Sequence, residues 1–176
     1  EVSSFSLDYN IFLGYQDEAK TQKFAVFLDE NQPYHPDYVH AQMKPNCESA
    51  IYYDELNRFF NFYEEKTGLE IVIAAHPTSE YLEQGNPFSG RKIIKGSTAE
   101  LVRDCSVSLA HASTSLSFSV LFSKPILLMT SNNYSKGLKE YIRMFGLELD
   151  TKEINLSNSV EYRDVDFSFS INKKSY

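Results

Sequence analysis

The chain predicts a doubly wound α/β fold, a mainly parallel sheet with helices on both faces, and three observations carry that expectation. Short apolar runs recur along the sequence, each is followed by a helix-periodic or turn-rich segment, and the interval is roughly 20 to 30 residues. Continuous apolar runs are what strands covered by helices on both sides require. The length of 176 residues, with 42% drawn from the apolar set, suffices for one core of this kind.

Residues 24–28 (FAVFL) form the first run, ending in Asp29 and Glu30 as a buried strand does at a sheet edge. Within residues 53–66, Leu56, Phe59, Phe60 and Tyr63 fall at helical spacing, and Gly68 stands at a C-cap position. Residues 69–75 (LEIVIAA) are the second strand, followed at once by His76 and Pro77, and residues 92–94 are a short third. Ser97 and Glu100 have the spacing of a capping box, so a helix starts there and runs to Asp104. Residues 107–110 are the fourth strand, and residues 113–122 the next helix, with Leu116 and Val120 facing inward. The fifth strand is residues 125–129 (PILLM), then a helix over 134–145 capped by Gly146, then a sixth strand over 153–156.

The domain is therefore expected over residues 21–160. Phe5, Leu7, Tyr9, Ile11 and Leu13 alternate, so residues 1–20 read as an entering strand or linker. Val165, Phe167, Phe169 and Ile171 alternate within a C-terminal segment, residues 161–176, and both ends read as cut. The 24 acidic against 17 basic residues argue against a nucleic-acid partner, since phosphate neutralisation needs a basic surface. No apolar run reaches the roughly 18 to 20 residues of a membrane span, and the chain reads as cytoplasmic, with at most a peripheral contact at the inner membrane face. Cys47 and Cys105 read as buried free thiols.

In an open parallel sheet, ligands bind beyond the carboxyl ends of the strands where the strand order reverses. That rule selects residues 29–32, 76–79, 96–98 and 111–115, all polar. His111, Ser113, Thr114 and Ser115 lie between a strand and a helix, where hydroxyls and free backbone N–H groups suit a phosphate; the alternative is that Ser113 or Thr114 only caps the helix. Pro77 holds His76 extended, so its imidazole can donate to a phosphate; the alternative is a surface loop histidine. His35-Pro36 repeats the dipeptide without a preceding strand and carries less weight. Asp29 and Glu30 can serve as a general base, or simply be solvated loop acids. Neither a G-x-G-x-x-G nor a Walker A pattern occurs, against a nicotinamide dehydrogenase or a P-loop protein.

The stretch from Lys92 to Ser131 resembles the nucleotide-binding half of a GT-B glycosyltransferase. His76-Pro77 and Ser113-Thr114-Ser115 are similar to the His-Pro and Ser/Thr motifs of bacterial sialyl- and polysialyltransferases and of related capsule and lipooligosaccharide transferases. The resemblance implies a nucleotide-sugar donor with His76 and Pro77 near its phosphate. It also puts Ser113 to Ser115 on the phosphate or carboxylate, and Gly96, Ser97 and Thr98 near base and ribose. It implies no metal and no separate cofactor, an acceptor glycan or glycolipid, a carboxylate base, and a second Rossmann-like domain as partner. One departure is Asn31, which follows Asp29-Glu30 where the family has glycine. A sugar-nucleotide 2-epimerase-like domain and a non-catalytic α/β binding module are the competing readings.

Overall fold

A computed structural model describes residues 6–15, 23–151 and 153–167. Phe24–Leu28 (β1) is buried at every position, which only a strand with neighbours on both edges and cover on both faces achieves. It pairs in parallel with Glu70–Ala75 (β2) on one side and Val107–Ala110 (β4) on the other. Ile93–Lys95 (β3), Ile126–Thr130 (β5) and Glu153–Asn155 (β6) complete a six-stranded sheet of order β3-β2-β1-β4-β5-β6, parallel throughout. The expected Rossmann-like fold is what forms. The order reverses between β1 and β4, so a crevice opens at their carboxyl ends.

Register assigns the faces. Phe27 is level with Ile73 and Leu109, while Val26 is level with Val72 and Ser108. Side chains alternate along a strand, so these two rows lie on opposite faces.

The Phe27 face is covered by Ser49–Thr67 (α3), whose buried residues Tyr52, Glu55, Leu56, Phe59, Phe60 and Tyr63 follow the three- and four-residue helical spacing. The Phe60 ring meets Phe27 at 5.3 Å, and Gly68 ends the helix at φ 70°, its N–H on the Glu64 carbonyl at 2.8 Å. On the Val26 face lie Thr98–Asp104 (α5) and Leu116–Leu121 (α6), where the Ser119 hydroxyl donates to Ser108 at 2.8 Å. Cys47 and Cys105 are buried and free. Among the described residues no helix is long and apolar enough to cross a membrane.

Several segments depart from expectation. Leu7–Leu13 (α1) is a helix, not a strand, because Asp8, Phe12 and Tyr15 form a helical stripe that turns inward, and Ser6 caps it. The alternating Leu7, Ile11 and Leu13 stay exposed, whereas Phe12 packs on Phe122 at 5.0 Å. Lys136–Glu148 (α7) continues past Gly146, which is an interior glycine rather than a cap. A Cβ there would lie 3.2 Å from the Thr151 carbonyl and 3.3 Å from Glu153, so glycine serves close approach to β6. Ser97 precedes α5 without a side-chain capping bond, at a φ of −122° and ψ of 35° that is not extended.

Asp37–His40 (α2), Tyr81–Gln84 (α4) and Ser159–Arg163 (α8) are short helices without a signal in the apolar pattern. Phe167 is not in a strand; it is buried with its ring 5.1 Å from Tyr63, and Phe169 and Ile171 lie outside the described residues.

Candidate functional site

An open cavity of about 1200 Å³ lies at the carboxyl ends of β1, β2 and β4. Of the residues selected from sequence, Asp29, Glu30, His76, Pro77, Thr98, Ser113, Thr114 and Ser115 line it; Gly96, Ser97 and His111 do not.

The two adjacent carboxylates have different positions. Asp29 is buried, and its Oδ2 accepts the His76 backbone N–H at 3.1 Å and the Tyr81 hydroxyl at 3.1 Å, while Oδ1 accepts the Asn31 N–H at 3.0 Å. Burial pushes its pKa up, and those donors hold it back. Each Asp29 oxygen accepts a backbone N–H, which ties the end of β1 to the end of β2. Glu30 spans the switch point: Oε1 accepts the Ala112 N–H at 2.9 Å and Oε2 the Gln32 amide at 2.9 Å. Burial pushes it up to about 7, which poises it to gain or lose a proton near neutrality. Asn31, next in the chain, sits at φ 49°, in the left-handed region, with its side-chain oxygen taking a second bond from Tyr81 at 3.2 Å.

His76 is half-buried at the tip of β2. Its Nδ1 accepts the Thr78 backbone N–H at 3.3 Å and lies 2.8 Å from the Thr78 hydroxyl, so the neutral ring carries its proton on Nε2. Burial first, then the neighbouring His35, hold its pKa below the usual histidine value, and it meets a ligand as a neutral N–H donor. The loop behind Pro77 is fixed by Lys95, whose Nζ donates to the Ser79 carbonyl at 2.8 Å.

The hydroxyl segment departs from expectation in one respect. The helix α6 begins only at Leu116, and the turn before it consumes the N–H groups of Ser115, Leu116 and Ser117, on the Ser113 hydroxyl at 3.2 Å and the Ser113 and Thr114 carbonyls at 3.1 and 3.2 Å. Ser113, Thr114 and Ser115 all line the cavity, with the first N–H groups of α6 spent inside the turn. Thr98 reaches the cavity as the first residue of α5. Gly96 serves the preceding turn at φ 83°, and Ser97 faces a separate groove beside Phe24 and Leu101.

His111 belongs to the core, correcting its assignment to the site. It is 0% exposed. Its Nδ1 lies 2.8 Å from the Met129 carbonyl, which can only accept, so Nδ1 carries the proton and Nε2 accepts the Tyr52 hydroxyl at 3.1 Å. Burial lowers its pKa to about 4 and keeps it neutral. It joins α3 to β4 and β5.

Three residues, His35, Asn46 and Ser135, were underrated or missed in the sequence. His35 stands beside His76, ring centroids 5.0 Å apart, and lines the same cavity. Gln32, Asn46 and Ser135 extend the Glu30 network: the Gln32 oxygen accepts Asn46 at 3.1 Å and Tyr38 at 2.9 Å, and the Asn46 oxygen accepts the Ser135 hydroxyl at 2.6 Å. Ser135 also caps α7, so that helix is tethered to the loop after β1. The repeated His-Pro dipeptide was a readable signal for His35; Asn46 and Ser135 carry none.

No protein-family model and no curated protein matches this chain. Among solved structures, it is similar to one described as the glycotransferase of kitacinnamycin, at a TM-score of 0.40 and 11% identity, over 85% of this chain and 35% of that one. The chain thus spans about a third of the length of that structure.

Proposed function

We propose that this domain binds the nucleotide-sugar donor of a glycosyltransferase, with the narrower reading of a bacterial surface-polysaccharide enzyme of the sialyltransferase kind. The observation that carries the proposal is the cavity at the strand-order switch point. There a carboxyl group poised near neutrality, Glu30, faces the same space as the His76 imidazole and the hydroxyls of Ser113, Thr114 and Ser115.

In this reading His76 Nε2–H and the hydroxyls donate to the donor phosphate, and Thr98 contacts the nucleoside. An acceptor hydroxyl loses its proton to Glu30 and attacks the anomeric carbon. The bond from that carbon to the phosphate oxygen breaks, and the departing phosphate keeps the electron pair, stabilised by donors already aimed at it. A glycan or glycolipid acceptor and a second Rossmann-like domain complete the proposal, and the chemistry assigns no role to a metal.

Calorimetric titration of the chain with CMP, UDP and GDP tests the donor site. Sub-millimolar binding of one of them, weakened at least tenfold in His76→Ala, is the expected result, equivalent to about 1.4 kcal/mol. No heat from any of the three at millimolar concentration overturns the proposal.

A further inference from the structure

The two His-Pro dipeptides fold alike. In each, the imidazole Nδ1 accepts the backbone N–H two residues on, Asp37 to His35 at 3.3 Å and Thr78 to His76 at 3.3 Å. The intervening prolines have no N–H of their own and hold the turn. Both rings are thereby fixed in the same tautomer when neutral, with the proton on Nε2, and no hydrogen-bond partner for either Nε2 occurs among the described residues. The rings lie 5.0 Å apart at an interplanar angle of 59°, and both line the cavity. The two rings thus meet at the cavity wall with both Nε2–H donors unspent.

Each Nδ1 also has a neighbour that serves a protonated ring. The Asp37 carboxylate lies 3.6 Å from His35 Nδ1, and the Thr78 hydroxyl, 2.8 Å from His76 Nδ1, can turn from donor to acceptor. The charges facing the pair are Asp29, Glu30 and Asp37 on the acidic side, Asp29 also holding the His76 backbone N–H, and Lys95 and Lys44 on the basic side. Two cationic rings at this separation repel, and His35 is one of the causes that lower the His76 pKa, after burial; an anion between the rings offsets that repulsion.

We propose that His35 and His76 form a paired-imidazole clamp for one phosphoryl group, with His35 a binding residue equal in weight to His76, and that closing the clamp on the anion draws a proton from solvent onto the pair. The inference rests on the donor reading only for the identity of the phosphate's carrier. The clamp itself requires a phosphoryl oxyanion and nothing more.

The test uses the whole chain, with nitrogen-15 spectra of its four imidazoles followed against pH, alone and with inorganic phosphate or CMP. Replacing His35 by glutamine in the empty protein is expected to raise the titration midpoint of His76, because its cationic neighbour is gone. Phosphate is expected to raise the midpoints of His35 and His76 together and to leave His40 and His111 in place. Calorimetry of CMP binding at pH 7.5 in two buffers of different ionisation enthalpy should show uptake of about one proton. That uptake should fall in His35→Gln, where only His76 can take the proton, together with about a tenfold loss of affinity, while His40→Gln binds as the native chain does.

CMP binding without proton uptake, or a His35→Gln variant within twofold of native affinity, overturns the clamp and leaves the donor reading standing. Phosphate that moves both imidazoles while no nucleotide binds keeps the clamp and removes the donor reading. Phosphate that moves neither ring overturns the clamp outright.

Discussion

Two rows of residues leave the sheet at the same edge and have opposite fates. Asp29 and His111 follow Phe27 and Leu109, two positions on, and so continue the face covered by α3; Glu30 and His76 continue the face of Val26 and Val72. On the first face the aromatic residues of α3 reach past the strand ends, Tyr52 onto His111 and Tyr53 through Tyr81 onto Asp29, at 3.1, 3.3 and 3.1 Å. On the second face no helix of that length overhangs, and the cavity opens. Histidine at the same height in the fold is therefore sealed in the core on one face, as His111, and at the cavity wall on the other, as His76. Alternation phase decides which, not distance from the strand end.

The largest effect that can break this contrast lies in the α3 face. Phe27→Ala removes a ring fully shielded from solvent and stacked edge-on with Phe60, Phe88 and His111, and should cost about 3 to 5 kcal/mol in urea denaturation. His76→Ala, on the open face, should cost less than about 0.5 kcal/mol in the same measurement. Comparable losses in both would mean that the two faces are not different in kind.

The next prediction concerns pH. Glu30 is raised from 4.5 to about 7, so the folded chain keeps a proton that the unfolded chain releases, and this contribution to stability falls as pH rises through that interval. His111 is lowered from 6.5 to about 4, so the unfolded chain binds a proton that the folded chain refuses, and this contribution rises with pH. The two oppose each other, and the native chain should have a shallow profile between pH 4.5 and 6.5. Glu30→Gln should expose the His111 slope, with stability climbing by roughly 2 kcal/mol across that range, trimmed by the raised carboxyl of Asp29. A flat profile in the variant would remove His111 from the neutral core.

The smallest effect sharpens the role of Asp29. Asp29→Asn keeps an acceptor for the Tyr81 hydroxyl or the His76 N–H but not for every donor now served, and should cost about 1 to 2 kcal/mol by thermal or urea unfolding. Nucleotide affinity should remain within threefold of native in calorimetry, since its oxygens are already engaged by His76 N–H, Asn31 N–H and the Tyr81 hydroxyl. A loss as large as that of His76→Ala would return Asp29 to the binding machinery.

The strands were the most legible part of the molecule, since β1 is a continuous apolar run, β4 is interrupted only by Ser108, and their limits match the residues that form them. The strand-end rule then found the edge where the cavity lies. It was blind to the side on which each residue leaves the sheet, because register between strands far apart in sequence is not written in any one of them. The phase of Asp29 against Phe27 and of His111 against Leu109, read with the aromatic stripe of α3, holds that missing information. The Ser113 to Ser115 turn was misplaced for a local reason: the Ser113 hydroxyl binds the backbone two residues on and delays the helix. Alternation at residues 5–13 misled because a helical stripe and a strand pattern share several positions in so short a segment.

Asn31 shapes the tip of β1 through its backbone as well as its side chain. Its φ of 49° is a conformation that glycine adopts freely and that asparagine tolerates better than most residues. What the chain needs at this position is therefore a backbone torsion: Asn31→Gly should keep the turn at the tip of β1, whereas a β-branched residue there should strain it.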